Sequence, residues 1–407
     1  HGQGYADLGF LIPEVVRSIR VVEGVYDPRQ GDFATAGSVE FELGAQEPGL
    51  LTRLSTGSFG ERRLLVSWAP DDLQRDTFAA IALRETDGFG DNRGSKSASA
   101  VGQQGFHVGD VDGRWFVVGA GTRASSAGLL RMDDIASGAV GYDDSYPDAT
   151  ANSQSALAAR ITAGVALERT RDDGERSSLL LYASYVAFRL RSNFTGYLER
   201  SQINPDFYGR GDLHDQENRN LTVGGGVSWR GRRRELTEDS FGFVEAGLST
   251  QLDVVDQADR LIEAPQNETW DERVDATVRS FSVGAWLDVS WWLGKRLRFR
   301  GGGRADALGF DVDDRLGNFI PEFRNEDYII GFRRTAFGVA AGPRATLEYT
   351  PADRVTLLAS YGEGFRSPQA RQLEEGETAP FAKVRSGEIG VHLGDELGAA
   401  YLTTAAY

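Results

Sequence analysis

Few residues in this sequence are placed to do chemistry. There is no cysteine, which removes disulfides, thiolate metal sites and cysteine nucleophiles together. The four histidines, His1, His107, His214 and His392, are too scattered to suggest a metal centre. His214-Asp215 has no nucleophile at a recognisable spacing and lies in what reads as a loop. Gly224-Gly225-Gly226 and the Gly119-Ala120-Gly121 stretch sit inside strand-like segments rather than ahead of a helix, so neither cradles a phosphate. No active site assembles, and no enzyme activity, metal centre or cofactor is expected. Charge at alternate positions is more telling. Arg296, Arg298, Arg300 and Arg304 share one face of a segment whose other face carries Leu297 and Phe299. Such a ladder would attract an anionic ligand or hold an acidic neighbour.

The elements that carry these residues are strands. In 277–291, Phe281, Val283, Ala285, Leu287, Val289 and Trp291 point one way, and Ser280, Ser282, Gly284, Asp288 and Ser290 the other. The same alternation recurs at 221–230, 336–349 and 354–362, so each segment has one apolar face and one polar or small face. About fifteen such segments follow one another from residue 50 to the C-terminus. Short links at 70–75, 171–176, 293–295, 351–353 and 394–396 alternate with long ones at 123–154, 190–217, 253–274, 307–334 and 364–381. Long loops at one end and short turns at the other are the habit of outer-membrane β-barrels. Tryptophan placement agrees. Trp68, Trp115, Trp229, Trp291 and Trp292 all lie beside short turns, as in an aromatic girdle at one membrane interface.

Composition narrows the partners. Sixty acidic against 44 basic residues give a formal net charge of −16, which argues against nucleic acid. No run of about 18 apolar residues supplies a membrane-spanning helix, and no signal peptide opens the chain. The long links are acidic: Asp253, Asp256, Asp259, Glu263, Glu268, Asp271 and Glu272 in one, and Asp311, Asp313, Asp314, Glu322, Glu326 and Asp327 in another. They read as a solvated surface, bridged by divalent ions to lipopolysaccharide, or else as sites for Ca²⁺ or a cationic ligand. Phe194, Tyr197, Phe207 and Tyr208, with Phe319, Phe323 and Tyr328, would form a ligand rim or pack loop against loop. The first 48 residues differ. A short helix over 11–17, a strand at 19–25, a turn at 26–32 and a strand around 36–43 make a small α/β piece too small for its own core.

Two blocks carry a resemblance. Pro13, Glu14, Glu23, Gly24, Tyr26, Asp27, Arg29, Gly31 and Gly37 match the C-terminal half of the plug domain of TonB-dependent outer-membrane receptors, with Val25 where that family usually has proline. Tyr361, Gly364, Phe365, Arg366 and Pro368, followed by Glu388-Ile389-Gly390, resemble the family's motif at the outer end of a late barrel strand. The resemblance implies an all-β membrane protein: a large antiparallel transmembrane β-barrel, 22 strands when complete and about 15 here, with a plug remnant. It places the plug piece at 1–48 and the incomplete barrel at 49–407, a fragment without either end, Tyr407 included. It implies a monomer in the outer membrane of a Gram-negative bacterium that takes up a scarce solute, by default a ferric siderophore or other metal chelate. Power would come from the TonB–ExbB–ExbD complex acting on a segment upstream. A barrel kept as a surface adhesin or structural protein is the alternative. On this resemblance Tyr26, Asp27, Arg29 and Gly31 form the plug turn, and Phe365 and Arg366 a loop base. The arginine ladder either lines a path for an anionic ligand or seats the plug on Glu14, Glu23, Asp27 or Asp32, and seating is the first expectation.

Overall fold

Period-two alternation decides the architecture of the computed structural model, which describes residues 8–72, 76–147, 152–196, 213–263, 266–316, 332–367, 382–394 and 400–406. The first two strands, β1 (Val16–Glu23) and β2 (Gly37–Leu43), pair only with each other. Among the described residues all later strands join one antiparallel sheet in which, apart from one short strand, each pairs with the next. In order they are β3 (Gly49–Thr56), β4 (Arg62–Ala69), β5 (Phe78–Thr86), β6 (Ser95–Val108), β7 (Val111–Ser125), β8 (Ser155–Thr170), β9 (Arg176–Asn193) and β10 (Leu213–Arg230). After a four-residue strand, β11 (Arg234–Thr237), come β12 (Ser240–Glu263), β13 (Glu268–Leu293), β14 (Leu297–Asp314), β15 (Phe332–Ala352), β16 (Val355–Arg366), β17 (Ala382–Leu393) and β18 (Ala400–Ala406). The short β11 folds back on β12 outside the main path, leaving fifteen strands in sequence, the number expected. The one described α-helix, α1 (Met132–Ser137), lies in the β7–β8 link.

The two faces of the sheet are unlike. Leu54, Ile81, Ile161, Val223, Leu252, Val283, Leu287, Val339 and Ile389 stand between 44 and 75 % exposed on one face. An apolar belt carried by nearly every strand is far larger than the patches soluble proteins show, and it suits lipid. The opposite face packs on residues 9–45. Phe10, Ile12, Val15, Leu43 and Ala45 of that segment join Leu65, Phe78, Val101 and Val118 in one apolar cluster. Because the same segment also touches β14 to β17, the sheet must curve around it. Among the described residues the curve stays open, with β3 and β18 as its edges.

The structure revises several expectations. The helix expected over 11–17 is a single 3₁₀ turn, Pro13–Val15, after which β-branched Val15 and Val16 lead into a strand that begins earlier than expected and stops before Gly24 (φ 71°). The long acidic loop expected at 253–274 is not a loop. β12 and β13 run on, paired from Phe241↔Trp292 to Glu263↔Glu268 with register shifts at Asp259/Arg260 and Leu261/Ile262, and only 264–267 connect them. The strands continue because their outer face turns from apolar to charged above the belt while the backbone pairing carries on through two register shifts. Arg260 binds Glu272 at 3.0 Å, and Thr277 donates to Asp256 at 2.6 Å. Asp311, Asp313 and Asp314 likewise lie on β14, and His214 on β10, where it meets Asp259 at 3.0 Å. Tyr197, Phe207, Tyr208, Phe319, Phe323, Tyr328, Glu322, Glu326, Asp327, Pro368 and Tyr407 lie outside the described residues.

The belt makes a direct prediction. Leu287→Arg, at mid-belt on β13, should cost about 2–4 kcal/mol of stability in a bilayer, and Phe281→Arg, near the charged rim, about 0–1 kcal/mol. Equal costs in a denaturant titration of vesicle-embedded protein would show that this face is not set at that depth in lipid.

Candidate functional site: a polar latch between the N-terminal turn and the sheet

Residues 24–32 form a turn that its own side chains build. The Asp27 carboxylate accepts the Arg29 backbone N–H at 2.9 Å and the Arg29 Nε–H at 3.0 Å, an Asx-type turn. Gln30 donates through Nε2 to the Gly24 carbonyl and to Ser38 Oγ, both at 3.1 Å, tying the turn to β2. Tyr26, Asp27, Arg29 and Gly31 all lie within this turn.

The turn docks on the inner face of β12 to β17. Arg300 bridges Asp27 at 3.1 Å and Asp288 at 2.5 Å. Arg304, paired with Asp306 at 2.7 Å, reaches the Arg29 carbonyl at 3.5 Å and Ser249 at 2.9 Å. Arg344 donates to three backbone carbonyls: Asp27, Gln30 at 2.9 Å and Glu363 at 3.3 Å. It is only 2 % exposed, and carbonyl dipoles rather than a paired carboxylate hold its charge. Around this core, Tyr26 O–H and Ser386 Oγ share a hydrogen bond of 2.8 Å, Ser367 N–H donates to Asp32 at 2.7 Å, and Arg29 faces Glu245 at 3.6 Å. Close approach is possible because Gly362 and Gly364 have no side chain. A Cβ on Gly362 would lie 2.3 Å from the Val25 carbonyl oxygen, and one on Gly364 2.6 Å from a Val25 methyl. At the other end of the segment, Glu14 binds Arg63 at 2.6 Å and Arg53 at 3.3 Å, and Ser99 Oγ donates to the Gly9 carbonyl at 2.9 Å.

The four-arginine ladder therefore divides. Arg300 and Arg304 hold the turn, Arg298 binds Glu348 at 3.4 Å, and Arg296 is exposed in the turn before β14. Of the four candidate carboxylates only Asp27 meets the ladder. Glu14 goes to Arg63, Asp32 to the Ser367 N–H, and Glu23 to neither. Phe365 is buried at 1 % exposure, and Arg366 is exposed at the end of β16. Sequence reasoning missed Arg344. Its signal was present: the one guanidinium between 338 and 348 on a face that otherwise carries Gly338, Ala340, Gly342, Thr346 and Glu348. Trp68, Trp115, Trp229 and Trp291 stand 42–48 % exposed on the apolar face near the short turns. Trp292 does not join them. Its neighbour Trp291 takes the outer face, so Trp292 projects inward and stacks on Phe241 at 4.7 Å. Two surface clefts of about 640 and 530 Å³ open on the apolar face, beside Phe281 and Phe337 and beside Leu347 and Ile389, away from the latch.

Burial pushes the Asp27 carboxyl up, but the charge and N–H of Arg29 and the charge of Arg300 outweigh it and leave it below its ordinary value. For Asp32 burial prevails over the Ser367 hydrogen bonds and leaves it raised. Asp27 thus stabilises docking above the ordinary value of 3.8, and this is lost as pH falls through its lowered value; Asp32 acts in the opposite sense. In an Asp32→Asn background, amide exchange of residues 24–36 should therefore accelerate on acidification below 3.8. Asp27→Asn added to it should cost about 1.5–3 kcal/mol of protection at neutral pH and abolish the acid response. A persistent acid response in that double variant would assign it elsewhere.

Comparison with known proteins follows the same outline. A family profile described as TonB dependent receptor-like, beta-barrel matches residues 78–407. A search of curated sequences returns no significant match. Among solved structures, the ferric citrate transporter FecA in its unliganded form superposes with a TM-score of 0.73 at 13 % identity, covering 96 % of this chain and 56 % of that one. The siderophore receptor PiuA from Acinetobacter baumannii gives 0.70 at 12 % identity, with 96 % and 61 % covered. The alcaligin outer-membrane receptor FauA from Bordetella pertussis gives 0.67 at 14 %, with 96 % and 57 % covered. The chain thus spans less than two thirds of the length of each of these structures, and at such identities the likeness is one of fold.

Proposed function

This chain belongs to the TonB-dependent receptor-like β-barrel family, and we propose that it acts as an outer-membrane transporter that captures a scarce solute and admits it to the periplasm. The observation that carries this reading is the latch. A segment that crosses the inside of the sheet and is bound to both of its flanks blocks the interior, yet is held there by contacts that a pull can break. We assign residues 1–48 to the C-terminal part of a plug and 49–407 to barrel. Arg300, Arg304 and Arg344 act as its seat, and Trp68, Trp115, Trp229 and Trp291 as the girdle at the periplasmic interface. Energy would come from TonB, ExbB and ExbD, transmitted through the N-terminal side of the plug. The solute is a metal chelate, most simply a ferric siderophore, a reading that FecA, PiuA and FauA support by analogy of fold.

Breaking the seat should be visible as leakage. Hydrogen bonds to a charged group are worth about 1.5–3 kcal/mol each, so Arg344→Ala should weaken docking without touching the belt. In planar bilayers, deletion of residues 1–48 should give a large, steady conductance and Arg344→Ala brief openings over a closed baseline. A deletion variant as tight as the parent protein would sink the plug assignment. Chelate uptake by cells that persists without TonB would sink the energised-transport reading.

A further inference from the structure

Above the latch, on the side of the longer links, the inner wall has a chemistry of its own. Along β12, Glu245 and Ser249 face the latch. Gln251, Asp253, Val255, Gln257 and Asp259 then follow at alternate positions, Val255 packing on Val278 and Val312, so Asp253 stands about 13 Å beyond Ser249 at strand spacing. Thr222 donates to Asp253 at 2.6 Å and Gln251 at 2.8 Å, and Tyr182 in turn donates to Gln251 at 3.0 Å. Asp253 is 7 % exposed, and hydroxyl and amide groups, with no cation, surround its carboxylate. Farther along the wall on β10, beside Gln257, Asn218 is 8 % exposed, and its side-chain oxygen has no hydrogen-bond partner. A buried acceptor left unsatisfied calls for a donor from outside the wall.

On β9 to β15 the inward-facing cations are already committed. Among the described residues of β9 to β15, Arg304 is held by Asp306, Arg334 by Asp314 and Arg344 by carbonyls. Farther round, Arg160 on β8 lies over the Phe10 ring at 4.8 Å, and Arg366 closes β16. The surface left over is rich in acceptors and net negative, with Asp253 and the Asp259–His214 pair as its charges.

Resting on the transport reading above, we infer that this wall is the ligand site and that it takes an uncharged or cationic chelate rich in O–H and N–H donors, not a polycarboxylate. Desolvated like charges disfavour an anionic ligand here, whereas separate donors of one chelate would reach Asp253 and Asn218, which stand about 13 Å apart along the strands. The distinction separates this chain from what the fold likeness to a ferric citrate transporter would suggest.

Binding to the detergent-purified full protein tests this with three probes: ferrioxamine B, a trihydroxamate with a cationic amine; its N-acetylated, neutral form; and ferric dicitrate. Ferrioxamine B should bind at least about ten-fold more tightly than ferric dicitrate. Asp253→Asn should weaken ferrioxamine B about ten-fold and the acetylated form less than about three-fold. Ferric dicitrate binding as tightly as ferrioxamine B, or an Asp253→Asn protein that binds ferrioxamine B unchanged, overturns the inference and leaves the transport reading standing. Binding of none of the probes overturns the chelate reading along with it. If Asp253→Asn fails to insert, the ranking of the probes on the unaltered protein still decides.

Discussion

Hydrocarbon offers no partner for a backbone N–H or C=O, and that constraint organises this molecule. Each strand must pair with its neighbours along the whole depth of the belt, since an unsatisfied group there costs several kcal/mol. Between its two edges, β3 and β18, the ladder meets the requirement by pairing strands that follow one another along the sheet, an arrangement that needs only turns between them. Pairing fixes the pleat, and the pleat divides every strand between lipid and interior. The apolar side chains at alternate positions are therefore forced outward, and glycines, serines and charges are left to line the inside. A polar interior is then available to hold something polar, and the N-terminal segment occupies it.

The seat shows how a polar interface can be firm and still reversible. A fully apolar contact of this extent would be hard to part, and at the β3–β7 flank an apolar cluster of Ile12, Val15, Leu65 and Phe78 is joined by the Glu14–Arg63 and Glu14–Arg53 ion pairs and the Ser99–Gly9 hydrogen bond. At the β14–β17 flank the contact is made of charge and backbone instead. Arg344 addresses carbonyl oxygens, so it recognises the shape of the turn rather than its side chains. Arg300 shares itself between Asp27 of the turn and Asp288 of the wall, so it keeps a partner when the turn leaves. That second partner matters energetically. A guanidinium stranded in a desolvated wall would make release prohibitive, whereas one that falls back on Asp288 does not.

The fold was legible in the sequence to the extent that alternation with apolar residues signals a strand. Fifteen barrel strands could be counted because Phe281, Val283, Leu287 and their equivalents stand at every second place. Where β12 and β13 leave the lipid, the outer face becomes Asp256, Arg260, Asp275 and Thr277. A charged stretch of that kind reads as a loop, although its strands stay paired, with two shifts of register. The site was legible in part for the same reason. Asp27 and Arg300 lay in patterns that draw attention, a turn motif and an alternating run of charge. Arg344 stood alone among small residues, and its role depends on carbonyls contributed by residues more than 300 positions away, which no local pattern records. Trp292 was misassigned because proximity to a turn was read without the pleat, which sends adjacent residues to opposite faces.

Fold and specificity rest on different residues, which is why 12–14 % identity can coexist with close superposition. The belt asks only that outward positions be apolar, and many side chains meet that requirement equally well. The ladder asks nothing of side chains at all. Such constraints let a sequence drift far while the sheet keeps its course. Ligand choice has no such latitude, because a few inward groups at mid-wall decide it, and one carboxylate in a desolvated wall outweighs many neutral contacts. A solute inferred from fold alone would therefore pass over the residues that choose it. Asp253, Asn218 and the already committed arginines are the place in this chain where that choice is made.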